Sequence, residues 1–218
     1  MEILNLQNIN KVYVKGKYEV NALKNINLSI QSGEFIAIVG PSGSGKSTLL
    51  NIIGCLDKPS SGEYKLRGQA ITSYSNKQLA RIRNKTFGFI VQHFALLEDY
   101  TVYENVQLPL EYAKTSFKKR KELVENILTE LDIIERANAT PNELSGGQSQ
   151  RVAIARALIN NADIILADES TGSLDRETST RILNILKNLN LCTLIIMDPI
   201  NKFLTANIQM VLNLIQTL

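Results

Sequence analysis

The chain has 218 residues, 44% apolar and 21% charged, which is ample for a buried core and ordinary for a globular protein. A net charge of +3, with no basic stripe interleaved with aromatics, argues against nucleic acid as a partner. No apolar run approaches the roughly 18–20 residues that span a bilayer. Glu2, Asn5, Gln7 and Asn8 break up any leader-like apolar stretch. Cys55 and Cys192 are isolated in apolar segments, as buried, reduced thiols would be.

From Met1 to Ile30, the apolar residues Ile3, Leu4, Leu6, Ile9, Val12, Val14, Leu23, Ile26, Leu28 and Ile30 predict two or three antiparallel strands. A turn is expected at Gly16-Lys17. Phe35–Val39 predicts a fully buried strand. Leu49, Ile52, Ile53 and Leu56 then fall at helical spacing, and Pro59-Ser60-Ser61-Gly62 is expected to stop that helix. Short strands follow at Tyr64–Leu66 and at Phe87–Val91, the second ending at Gln92. At about residues 100–140 the pattern turns helical, clearest at Val124, Ile127, Leu128 and Leu131, with Pro109 and Pro141 marking ends. Lys118-Lys119-Arg120-Lys121 reads as a solvated helix face. Further on come a helix with Val152, Ala155, Leu158 and Ile159, and a strand at Asp163–Ala167. Next are a helix after Asp175 with Ile182, Ile185, Leu186 and Leu189, and strands at Leu194–Met197 and Ile208–Ile215.

Between the buried strand and the first helix lies Gly40-Pro41-Ser42-Gly43-Ser44-Gly45-Lys46-Ser47-Thr48, the pattern G-x-x-x-x-G-K-[ST]. Glycines let backbone N–H groups turn inward, and the helix N-terminus adds partial positive charge, so the stretch suits a triphosphate. Lys46 supplies a cation for the β- and γ-phosphates, and the Ser47 hydroxyl suits Mg²⁺. A second element, Ile164–Glu169, is an apolar strand ending in two acids. There Asp168 is expected to complete the metal shell and Glu169 to polarise an attacking water. A third, Leu144-Ser145-Gly146-Gly147-Gln148, puts two glycines at a helix start. Ser145 and Gln148 could form a capping box, but a cap needs neither glycine. The stretch therefore also reads as a second anion site.

With Leu144–Gln148 and the phosphate loop together, nearly the whole chain resembles the ATP-binding subunit of an ABC transporter. The branch of macrolide, lipoprotein and antimicrobial-peptide exporters is the most similar, on Ile53–Pro59, Phe87-Gly88-Phe89 and Ala167-Asp168-Glu169. The resemblance implies an α/β P-loop NTPase with a mostly parallel central sheet, an N-terminal antiparallel β subdomain and an inserted helical subdomain. The core would span about 1–95 and 160–218, and the helical part about 100–158. ATP and Mg²⁺ are the implied cofactors. Tyr13 would stack on adenine, Gln92 would contact Mg²⁺ and the water, and Ser173-Leu174-Asp175 would cross a dimer interface. Two subunits, alike or different, would sandwich ATP between one phosphate loop and the other chain's Ser145–Gln148. They would work at the cytoplasmic face of the membrane, held by a transmembrane permease.

Two departures stand out. Ser170 follows Glu169 where the family usually has proline. After Thr193–Ile196 the chain reads Met197-Asp198-Pro199, about two residues short of the family's Thr-His-Asp switch, with His93 its only histidine. Loss of a γ-phosphate contact should weaken turnover more than binding. The alternative to a transport ATPase is thus an ATP-gated dimerisation module with little hydrolysis. A soluble ABC ATPase of translation or repair fits poorly, since paired cassettes and long coiled-coil insertions are both absent.

Overall fold

The computed structural model describes residues 1–91, 94–168, 193–198 and 210–213. Gln92, His93, Glu169, Ser170, Ser173–Asp175, the helix expected after Asp175, and Cys192 lie outside them. The chain divides into two compact units, residues 1–83 with 191–218 and residues 84–190.

In the first unit, β1 (Glu2–Lys15) and β2 (Tyr18–Gln31) form a long antiparallel pair turning at Gly16, whose φ of 63° suits glycine. β1 also pairs antiparallel with β4 (Ser61–Leu66), which pairs with β5 (Gln69–Ala70). This is the expected antiparallel subdomain. Strict alternation along β1 would point Ile9 outward after Leu4 and Leu6, yet all three are buried. Register shifts between Leu6 and Ile9, with Asn8 at φ 52°, turn Ile9 back inward. Asparagine side chains satisfy the backbone freed there: Asn8 N–H donates to Asn27 Oδ1 (2.8 Å) and Asn25 N–H to Asn10 Oδ1 (2.9 Å).

The same unit holds β3 (Phe35–Val39), which pairs parallel with β8 (Thr193–Asp198) and with β9 (Met210–Asn213). Ile36 and Ile38 are fully buried, as the apolar run implies. α1 (Lys46–Ile53) buries Leu49, Leu50, Ile52 and Ile53. Leu56 does not belong to that face: the helix ends at Gly54, Cys55 takes φ 58°, and Leu56 is 53% exposed. The turn is closed by N–H groups of Gly54 and Cys55 bonding back to Leu50 and Ile52, so the stop comes before Pro59. Ser61 and Gly62 already belong to β4.

α2 (Asn76–Thr86) leads into the second unit. There β6 (Phe87–Ile90) pairs parallel with β7 (Ile164–Asp168), Phe87 opposite Ile164 and Ile90 opposite Ala167. Helices α3 (Val102–Tyr112), α4 (Phe117–Glu130) and α5 (Gly146–Leu158) bury Val102, Val106, Val124, Leu128, Val152 and Ile154. Pro109 lies inside α3 and does not end it: a proline removes only its own N–H, and Ala113 N–H closes the last turn onto Pro109 O (3.0 Å). Lys118, Lys119 and Lys121 are exposed, in line with a solvated face.

Candidate functional site

In the first unit, β3 delivers the chain to Gly40 and α1 begins at Lys46. Gly43 (φ 80°) and Gly45 (φ 90°) make the left-handed turns between them. A Cβ on Gly45 would collide with the Ala22 carbonyl and Leu23, so β2 backs the loop at that point. Lys46 is buried, and its Nζ donates to Gly40 O (2.8 Å) and Pro41 O (2.9 Å), pinning the loop onto the start of its own helix. No acidic residue and no side-chain cap bond neutralises the first turn of α1, leaving its N–H groups as an electropositive end. Ser44 is 3% exposed and its Oγ has no hydrogen-bond partner among the described residues. A buried, orphaned hydroxyl next to the uncapped first turn of α1 fits an anion such as phosphate. Ser42 and Ser47 are exposed and Thr48 is half-buried.

Tyr13 lies beside this loop. Its hydroxyl donates to Asp57 Oδ2 (2.8 Å). Partial burial, then the bond to Asp57, raises its pKa. Asp57, from the Ile53–Pro59 stretch, and Lys11, not singled out from the sequence, form an ion pair at 2.7 Å, and the Lys11 ammonium sits 4.8 Å from the Tyr13 ring centre. Lys11 and Tyr13, two apart on one strand, were the available signal.

In the second unit, Asp168 closes β7 after four buried apolar residues. In the β6–β7 register Ile90 lies opposite Ala167, so Val91 and Asp168 leave the paired strands side by side. Ser145 caps α5: its Oγ accepts from Gln148 N–H (3.3 Å), and Gln148 Oε1 accepts from Ser145 N–H (2.9 Å). The capping box is thus real. Gly146 and Gly147 are not explained by it, since a Cβ at either would meet nothing within 4 Å among the described residues. Arg156, late in α5, donates to the carbonyls of Phe94 and Ala95, a link that no motif indicated.

A P-loop fold with a glycine-bearing cap on a second helix defines the nucleotide-binding cassettes of ABC transporters. The chain belongs to this family: residues 23–172 match the pattern described as ABC transporter. It is 48% identical over 188 residues to a macrolide export ATP-binding/permease protein MacB 2 of Yersinia pestis bv. Antiqua (strain Antiqua). That match takes in 86% of this chain but only 28% of the exporter's length. It is also 48% identical to the ABC transporter ATP-binding protein YknY of Bacillus subtilis (strain 168), over 86% of this chain and 82% of YknY. Among solved structures, the cassette MJ0796, a dimer bound to ADP and Pi, superposes with a TM-score of 0.84 at 44% identity, over 89% of this chain and 87% of MJ0796. The expected fold, a P-loop NTPase with an antiparallel β subdomain, is borne out. No helix among the described residues is long and apolar enough to cross a membrane.

Proposed function

We propose that the chain is an ATPase subunit that dimerises around ATP and drives a membrane-embedded permease in export. The observation that carries this reading is the pair of glycine-bearing helix starts, at Gly45-Lys46 and at Ser145-Gly146-Gly147. The first has a buried lysine and an orphaned hydroxyl suited to phosphate. At the second, no packing among the described residues requires glycine, so the bare backbone is suited to a molecule brought from outside. A second subunit's nucleotide meets that description, and the dimeric state of MJ0796 supports it.

In this reading Gly40, Ser42, Gly43, Gly45, Lys46, Ser47 and Thr48 cradle the phosphates, and Tyr13 stacks on adenine. Ser47, Asp168 and Gln92 would hold Mg²⁺, which would supply charge compensation for the phosphates. Glu169 orients and deprotonates the attacking water. Ser145, Gly146, Gly147 and Gln148 bind the nucleotide held by the partner. The subunit then sits on the cytoplasmic side of the membrane. Its cargo is a peptide, lipoprotein or drug-like molecule selected by the permease.

One observation favours weaker turnover: β8 ends at Asp198, level with Val39 just before the phosphate loop, and the sequence there has no histidine. ATP-gated dimerisation with little hydrolysis is the second reading. ATPase assays on the wild type, Glu169→Gln and Lys46→Ala, with and without the permease, separate the two. Turnover abolished by Glu169→Gln supports the enzyme. ATP-dependent dimers without turnover in any condition support the gate, and absence of both overturns the proposal.

A further inference from the structure

We propose that Lys11 and Asp57 are positioning residues for adenine binding, which hold the Tyr13 ring in its stacking orientation before nucleotide arrives. The inference rests on the reading above that Tyr13 stacks on the base.

Two groups grip Tyr13. Asp57 Oδ2 accepts its hydroxyl at 2.8 Å, and the Lys11 ammonium lies against the ring at 4.8 Å from its centre. The gripping groups are themselves fixed. Lys11 Nζ donates to Asp57 Oδ1 (2.7 Å) and to Lys58 O (2.8 Å), and the Lys58 N–H donates to the same Asp57 Oδ1 (2.7 Å). The Asp57 N–H bonds Asn51 O in α1 at 3.1 Å. Desolvation pushes the Asp57 carboxyl up, but the hydrogen bonds from Lys11, Tyr13 and Lys58 outweigh it, so the group stays ionised at neutral pH.

Tyr13 nevertheless stays 41% exposed, whereas the Lys11 side chain is only 12% exposed. An ammonium covers one ring face and a carboxylate tethers the edge, leaving the remaining surface for a flat ligand. The tether also returns to α1, the helix whose first residue is the phosphate-loop lysine. Base platform and phosphate cradle are therefore fixed to one rigid element, at a spacing set before binding. Ordering the ring in advance spares the ligand that cost, worth about three- to tenfold in affinity for one side chain.

The test is calorimetric titration of the full chain with ADP, and separately with pyrophosphate, both with Mg²⁺. Tyr13→Ala is expected to weaken ADP binding about tenfold and to leave pyrophosphate binding unchanged. Lys11→Met and Asp57→Asn are each expected to weaken ADP binding about three- to tenfold, again sparing pyrophosphate. In a Tyr13→Ala background neither should have any further effect. Tyr13→Phe, which keeps the ring and the fold but not the tether, should fall between wild type and Tyr13→Ala. Wild-type ADP affinity in Lys11→Met, Asp57→Asn and Tyr13→Phe, beside a weakened Tyr13→Ala, overturns the positioning role and leaves the stacking reading intact. An unchanged Tyr13→Ala overturns both. Equal losses toward ADP and pyrophosphate, persisting without Tyr13, show that the pair merely supports α1 and also overturn the proposal.

Discussion

The guanidinium of Arg156 donates to the carbonyl of Ala95 at 2.7 Å, and its other terminal nitrogen reaches Phe94 O at the same distance. Phe94 and Ala95 both adopt left-handed backbone, at φ 58° and 45°, a conformation that costs a non-glycine residue about 1–2 kcal/mol. Two charge-assisted bonds offset that cost. Arg156→Ala should therefore destabilise the protein by about 3 kcal/mol in urea unfolding, and Arg156→Lys by nearly as much, because an ammonium cannot reproduce the fork. Adding Ala95→Gly to Arg156→Ala should recover about 1 kcal/mol. No recovery would mean that the arginine is not restraining this turn.

Asn105 is fully buried in α3 and spends its whole amide on the preceding loop. Its Oδ1 accepts from Leu97 N–H (2.8 Å), and its Nδ2 lies within 3.0–3.1 Å of the carbonyls of Leu97, Tyr100 and Thr101. Asn105→Leu has nearly the same volume but strands those backbone groups. A loss of about 3 kcal/mol is expected, with faster amide hydrogen exchange at Leu97. Unchanged exchange there would sink the assignment.

The two loop glycines should respond differently to alanine. Gly43 meets none of the described residues, so Gly43→Ala is expected to carry only the left-handed backbone cost of about 1–2 kcal/mol. Gly45→Ala adds a collision with the Ala22 carbonyl and places a methyl 2.9 Å from Leu23 Cδ2. Thermal unfolding should show a clearly larger drop for Gly45→Ala. Equal drops would contradict the packing of β2 against the loop.

Burial pushes the Cys55 thiol up to about 11 from an ordinary value of 9.0, the Tyr64 hydrogen bond and Arg83 opposing only in part. The unfolded chain then ionises first, so the thiol's contribution to stability is intact below about pH 8 and is lost as pH rises through 9 toward 11. Between pH 8 and 10 the wild type should lose on the order of 1 kcal/mol more than Cys55→Ala. Parallel pH profiles for the two proteins would refute this.

The phosphate loop, its flanking strand and helix, and the capped start of α5 were all legible, because glycine spacing and apolar periodicity are local signals. α2 was not: among its eleven residues, which include Lys77, Arg81, Arg83 and Lys85, only Leu79 and Thr86 are buried, so it shows no apolar stripe. Leu56 kept the helical spacing of α1, but Gly54 had already ended the helix. The pairings of Lys11, Asp57 and Arg156 escaped notice because the partners lie 44 to 62 residues away, and periodicity is blind to such distances.

Gly88 leaves room in β6 for the chain of α5 itself. A Cβ there would overlap the Ala157 carbonyl and sit 2.6 Å from Ile165 Cδ1. A helix resting on side chains can slide as those chains change rotamer, whereas one seated backbone against backbone has no such play. Ser145, Gly146 and Gly147, at the far end of the same helix, therefore inherit the position of β6. Displacing them means swinging strand and helix together as one lever, with its short arm at Gly88 and its long arm at Ser145.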